Sequence, residues 1–179
     1  DVAPSRGLGD VYKRQSLYTG LVNDTGNFKH DNVTEETFKM AGHLVKIGVN
    51  NSKIVREFLN TKSMAAIKFL GQAMYEMKFD EKKRLAYFYL SNKDFMKNGG
   101  RKEDTEEIVE NLVSYEKAEV SLFLREDAIG VIKGSMRSKH DTDVNVIAGI
   151  FGGGGHRKAS GFTSNLSAEE IVKIILEKL

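Results

Sequence analysis

Hydrophobic positions along this chain switch between two periods, and the switches mark its elements. Val120, Leu122 and Leu124 alternate with their neighbours, the period of a strand with a buried face. Gly130 to Ser138 reads as its antiparallel partner, with Glu126-Asp127-Ala128 in the turn. On that partner Val131, Lys133, Ser135 and Arg137 fall on one face. Leu85 to Leu90 predicts a further strand, with Ala86, Phe88 and Leu90 on one side and Tyr87 and Tyr89 on the other, the tyrosines either stacking a base or, the favoured reading, packing beneath a helix. Ser160 to Ser164 predicts a last short strand. Leu17, Leu21 and Val22 read as a short buried strand ending at Asn23-Asp24-Thr25-Gly26.

The other segments carry helical spacing. Thr34, followed by Glu35 and Glu36, opens a helix bearing Phe38, Ala41, Leu44 and Val45, because its hydroxyl satisfies orphan N–H groups and the acids suit the dipole. A short helix follows near Ile54, Val55, Phe58 and Leu59. Ser63 to Phe79 predicts a further helix whose apolar side is Ala66, Ile67, Leu70, Met74 and Met77. Asp104-Thr105-Glu106-Glu107 precedes a helix of Ile108, Val109, Leu112 and Val113, and Asp143 caps one of Val144, Ile147 and Ala148. Ser167 with Glu170 forms a capping box for the last helix, which carries Ile171, Ile174, Ile175 and Leu179. The alternation of these elements predicts an α/β fold with a mixed sheet. Residues 1 to 15 hold Pro4, Gly7 and Gly9 without a usable period, and are expected to be disordered and foreign to the rest.

Composition narrows the chemistry. With 27 basic and 25 acidic residues among 179, the charge is too balanced for a protein that coats long nucleic acid, so any nucleotide ligand should be short. There is no cysteine, which excludes disulfides and thiolate metal sites and leaves carboxylates and imidazoles as cation ligands. The cysteine-free composition suits a reducing cytoplasm. No apolar run reaches the roughly 18 residues of a membrane span, so no membrane partner is expected.

The most informative stretch is Phe151-Gly152-Gly153-Gly154-Gly155-His156-Arg157-Lys158-Ala159-Ser160-Gly161. Consecutive glycines leave the backbone without Cβ atoms, so that several N–H groups can turn toward one anion. An imidazole and two cations follow at once, which suits a phosphorylated ligand. A flexible loop is the alternative reading of the glycines. No Gly-Lys-Ser/Thr closes the run and no alternating glycine fingerprint opens it, so it is neither of the two familiar phosphate loops. Upstream stand Ser135-Met136-Arg137-Ser138-Lys139 at a strand end and Asp143-Val144-Asn145 at a helix start.

Together these three motifs resemble the substrate-binding domain that accompanies DHH phosphoesterases, in the branch of bacterial nanoRNases that also act on 3′-phosphoadenosine 5′-phosphate (pAp). The resemblance extends back through Tyr18-Thr19-Gly20-Leu21-Val22-Asn23-Asp24-Thr25-Gly26-Asn27-Phe28, similar to the last segment of that family's catalytic domain. It implies a catalytic-domain remnant over residues 16 to 60, a linker helix over 61 to 82 and the substrate-binding domain over 83 to 179. The chain is then expected to be the C-terminal part of a longer enzyme.

The activity implied is hydrolysis of short oligoribonucleotides and of pAp with two Mn2+ or Mg2+ ions. Asp24 is implied as a catalytic metal ligand; from the residues alone it is equally a turn aspartate before Thr-Gly. Arg137 and Ser138 are implied as substrate contacts, together with the amides of Gly153, Gly154 and Gly155 and the ring of His156. Lys139 and Asn145 are weaker positioning candidates, and a structural ion pair is the alternative for Arg137. None of the four histidines is adjacent to another, so the Asp-His-His triplet that names the superfamily is absent from this chain, and the chain alone is expected to be inactive. A homodimer is a further expectation of the resemblance. Competing readings are a cyclic-di-AMP phosphodiesterase or single-strand DNA exonuclease of the same superfamily, a non-catalytic nucleotide-binding module, and the related domain of alanyl-tRNA synthetases.

Overall fold

The computed structural model describes residues 5–179, with side chains from residue 10 onward. Residue contacts divide the chain into two units, one ending at Lys62 and one beginning at Ser63.

The first unit is helical. Helix α1 spans Ser5–Asp24, so residues 5–15, expected to lack structure, and Leu17 to Val22, expected to form a strand, are both helical; residues 1–4 of that segment lie outside the described residues. The signal that decides it is the spacing of Tyr18, Val22 and Thr25, all buried at 4% exposure or less, whereas Leu17 is 63% exposed. That spacing is a helical stripe rather than an alternation. Arg14 donates to the Ile47 carbonyl at 2.9 Å and the Tyr18 hydroxyl to Asn51 at 3.1 Å, which fixes the outer turns of α1. Helix α2, Glu35–Lys46, begins at Thr34 with a reciprocal cap between Thr34 and Thr37. Helix α3, Asn51–Val55, continues into a π-helical turn over Arg56–Asn60. Tyr18, Val22, Ala41, Leu44, Val49 and Ile54 form this unit's core.

In the second unit a six-stranded mixed sheet carries helices on both faces. Its strands are β1 Lys78–Asp80, β2 Leu85–Leu90, β3 Val120–Ala128, β4 Val131–Ser138, β5 Gly154–His156 and β6 Ala159–Ser164, in the spatial order β1-β2-β3-β4-β6-β5. Only the β2–β3 pair is parallel. The helices are α4 Met64–Glu76, α5 Asn92–Asn98, α6 Ile108–Val113, α7 Val144–Gly149 and α8 Ala168–Lys178, with a 3₁₀ turn at Lys102–Thr105.

Strand alternation builds a separate core on each face. On one, Leu85, Leu122, Met136 and Phe162 pack with Val144, Ile147, Ile171 and Ile175 from α7 and α8. On the other, Ala86, Phe88, Leu90 and Phe123 pack with Phe69 and Ala73 of α4 and Ile108 and Leu112 of α6. The segment expected to link two domains is thus built into this second core, by a face other than the predicted one. Phe69 is fully buried and stacks on Phe95 at 5.4 Å, while Ile67 is 53% exposed. Burying the aromatic removes the larger apolar area from water, so it sets the rotation of the helix. The predicted caps at Asp143 and at Ser167 with Glu170 are formed.

Candidate functional site

Helix α6 covers β3 and reaches β4. On the α6 side of the sheet, β4 turns Lys133, Ser135 and Arg137 outward, all at least partly exposed, while Ile132, Gly134 and Met136 are buried on the other side. Register then aligns the strands: Arg137 lies opposite Ala159 on β6, and Ala159 opposite His156 on β5. Directly opposed residues direct side chains to one face, so Arg137 and His156 flank a single alanine. Across two strand spacings their Cα atoms are about 10 Å apart, within joint reach of one phosphate. In the next row Ser135 faces Gly161. A nearly side-chain-free floor therefore runs beside the guanidinium.

Arg137 is oriented by its own protein. Its Nε donates to the Glu110 carboxylate of α6, and its Nη1 to the Met136 carbonyl at 2.9 Å. A guanidinium has five N–H groups, so two are spoken for and the Nη1/Nη2 end keeps three. That end is the fork that binds phosphate or carboxylate bidentately. The ion pair with Glu110, 28% and 55% exposed at the two side chains, thus fixes the plane of the group without consuming its recognition edge. Glu110 was not visible as a site residue in the sequence, because the partnership depends on how α6 docks across the sheet.

The glycine run does several things at once. Gly152, at φ 72°, takes the left-handed conformation that ends α7, and the Gly153 amide donates back to the Ala148 carbonyl at 3.0 Å. The Gly153 amide, expected to meet substrate, is therefore used within the protein. A Cβ on Gly153 would stand 2.3 Å from the Gly161 oxygen, and one on Gly155 would stand 2.5 Å from the Ala159 oxygen. Two of the four glycines are accordingly needed for the hairpin to seat against β6. Gly154 has only Asn145 Oδ1 nearby, at 3.6 Å from a built Cβ. The expected loop is in fact a short edge strand, and an edge strand turns alternate N–H groups away from its neighbour. His156 is exposed and ends that edge.

Other expected contacts lie elsewhere. Ser138 alternates to the opposite face, is 8% exposed, and donates its hydroxyl to the Thr142 carbonyl at 2.7 Å; it is a structural residue here and not a neighbour of the Arg137 fork. Lys139 binds the carbonyls of Tyr115 and Glu116. Arg157 donates to the Asp141 carbonyl at 2.9 Å.

In the first unit, Asp24 is the last residue of α1 rather than a carboxylate beyond a strand, and its side chain is exposed. The turn after it is unusual: Gly26, Asn27 and Phe28 all have positive φ, between 54° and 64°. Thr25 anchors the turn by donating to the Leu21 carbonyl at 2.6 Å and accepting from the Phe28 amide at 3.1 Å. The His30 ring and the Asn32 amide reach the Asp24 carbonyl. Among the described residues no three His, Asp or Glu side chains gather as a cation site. This donor set does not fit the two-ion centre implied by the resemblance, because Asp24 is the only carboxylate of the Asp24-Thr25-Gly26-Asn27-Phe28 turn.

Acid sensitivity of the second unit follows from its carboxylates. Backbone N–H donors from Arg101 hold Asp104 below its usual range, and those of Asn92 and Gly130 do the same for Glu126. Burial opposes ionisation of Asp127, but the Arg125 and Lys102 hydrogen bonds outweigh it and lower its pKa. Each folded pKa is depressed, so the stability they contribute is complete above the unfolded carboxylate range and is lost as pH falls through the folded values. The expected result is a thermal midpoint steady near neutrality that drops below about pH 4, measured by circular dichroism, with a shallower drop in Asp127→Asn.

Comparison with known proteins agrees with this architecture. Residues 82–179 match the model of the DHHA1 domain, and the chain belongs to that family. A bifunctional oligoribonuclease and PAP phosphatase NrnA of Thermus thermophilus is 31% identical over 162 residues, covering 90% of this chain and 48% of the relative. Its namesake in Bacillus subtilis is 29% identical, covering 90% of this chain and 50% of the relative. An exopolyphosphatase-related protein from Bacteroides fragilis superposes with a TM-score of 0.87 at 31% identity, over 94% of this chain and 50% of its own. The chain spans about half the length of these relatives. Among the described residues no helix is long and apolar enough to cross a membrane.

Proposed function

We propose that this chain supplies the substrate-holding part of a phosphoesterase that hydrolyses short oligoribonucleotides and pAp, gripping the substrate's terminal phosphate between Arg137 and His156. The observation that carries the reading is the row Arg137, Ala159, His156 across three strands, with the open fork of Arg137 held in plane by Glu110. Arg137 gives a bidentate charge-assisted contact, His156 a third hydrogen bond from the sheet edge, and the outward-facing amide of the Gly154–Gly155 edge a further donor. The small residues Ala159 and Gly161 let the sugar approach the backbone. These residues bind and orient; hydrolysis by two cations requires ligands that the described residues do not bring together. The relatives' names support the substrate class, and Mn2+ is the proposed ion.

The test is calorimetric titration of the chain with pAp, alongside a hydrolysis assay in Mn2+. Saturable binding without turnover is expected. Turnover by this chain alone would refute the division of labour, and absence of binding would refute the grip.

A further inference from the structure

Beside the Arg137 row lies a second, smaller feature with no part in the grip described so far. It is a pocket of about 260 Å³ on the same face of the sheet, formed between the 3₁₀ turn at Lys102–Thr105 and β3–β4. It shares Lys133 and Ser135 with the outward row of β4. Its mouth is therefore one two-residue step from Arg137, about 7 Å along the strand. That is the scale on which a nucleotide carries its base from its phosphate.

The lining is built rather than incidental. Arg125 is 6% exposed, with Nε on Asp127 at 2.6 Å and Nη1 on both the Lys102 carbonyl, at 3.0 Å, and the Thr105 hydroxyl. No bond engages its Nη2, and among the described residues no fully buried side-chain nitrogen is left without a partner, so Nη2 opens into the cavity. Phe123 supplies an apolar wall, and Glu103 and Glu106 stand at the rim. The formal charges cancel, with Arg125, Lys102 and Lys133 against Asp127, Glu103 and Glu106. A neutral pocket rich in fixed donors and acceptors disfavours a second phosphate and suits an uncharged planar group. Rim carboxylates accept from an amino group, and Arg125 Nη2 donates to a ring nitrogen or carbonyl.

We infer that this pocket between the 3₁₀ turn and β3–β4 receives the nucleobase, one bearing an exocyclic amino group, of the nucleotide whose phosphate is held by Arg137. The inference rests on the phosphate grip proposed above and adds the subsite that distinguishes a nucleotide from a plain sugar phosphate.

Ribose 5-phosphate and adenosine 5′-monophosphate separate the two ideas when titrated into the whole chain by calorimetry. Adenosine monophosphate should bind about tenfold tighter, the worth of one or two hydrogen bonds. The exposed pair Glu103→Ala/Glu106→Ala should bring its affinity down to that of ribose 5-phosphate, with the thermal midpoint checking the fold. In NMR spectra the Arg125 Nε–H signal should shift with adenosine monophosphate and stay in place with ribose 5-phosphate. Equal affinities in the wild-type chain, or an adenosine advantage that survives the double substitution, would overturn the base pocket and leave the phosphate grip standing. Ribose 5-phosphate binding that is absent, or indifferent to Arg137→Ala, would bring down both.

Discussion

Arg137→Ala lowers the affinity for pAp about a hundredfold, roughly 2.7 kcal/mol, the loss expected when one partner of a bidentate charged contact is removed. Lysine should restore little. Its ammonium keeps the charge but lacks the Nε that meets Glu110 and the planar fork that meets two phosphate oxygens. Glu110→Ala provides the finer control. A negative charge near a bound phosphate is in itself unfavourable, so its removal would tighten binding if Glu110 merely competed for Arg137. If it holds the guanidinium in plane, Glu110→Ala weakens binding severalfold while Glu110→Gln, which keeps an acceptor oxygen, does not. Calorimetry on the two Glu110 variants decides between competition and orientation. The thermal midpoint should move little, because the pair is partly exposed and such pairs contribute about 1 kcal/mol or less.

Gly153→Val has the other large effect, and it acts through the fold. The first added carbon would lie 2.3 Å from the Gly161 oxygen and 2.5 Å from the Phe162 Cβ, both fixed parts of β6. Neither neighbour can swing away as the end of a long side chain would, so β5 or β6 must shift, at about 2–3 kcal/mol. Chemical denaturation measures that loss. Binding of pAp should fall as well, because β5 carries His156 and leaves its place beside Ala159. Gly154→Ala is the matched control: its nearest neighbour is the Asn145 amide oxygen at 3.6 Å, ordinary contact, and both stability and affinity should change little.

These two residues also show what a one-dimensional reading can and cannot deliver. Val131 to Arg137 alternates so cleanly that Lys133, Ser135 and Arg137 could be placed on one face before any coordinates, and Asp143 and Ser167 announce their helices by side-chain caps. Those signals are local, and local patterns survive folding. The glycine run was legible as important but not as to its use. Half of it serves contact with β6, a non-local fact that four identical letters do not encode. Ser138 shows the same limit: standing next to Arg137 in sequence puts its side chain on the other side of the strand. Leu17 to Val22 reads as a strand because three aliphatic side chains outweigh, in the sequence, the Tyr18–Val22–Thr25 stripe that is buried in the helix. Glu110 and Arg125 carry no signal in the sequence, because their contacts depend on the docking of α6 and the 3₁₀ turn against β3 and β4.

A larger groove, about 1220 Å³, lies on the opposite face of the sheet, lined by Tyr87, Tyr89, Leu166 and Val172. It is the natural rival as a place for a nucleotide base, since exposed tyrosines can stack one. Amide chemical-shift mapping during titration with pAp weighs the two faces directly. The perturbed amides should cluster at Ser135 to Arg137 and Gly154 to Gly161, with the Arg137 Nε–H signal among the largest movers. Perturbations gathered instead around Tyr87, Tyr89 and Leu166, with Arg137 and His156 unmoved, would contradict the grip.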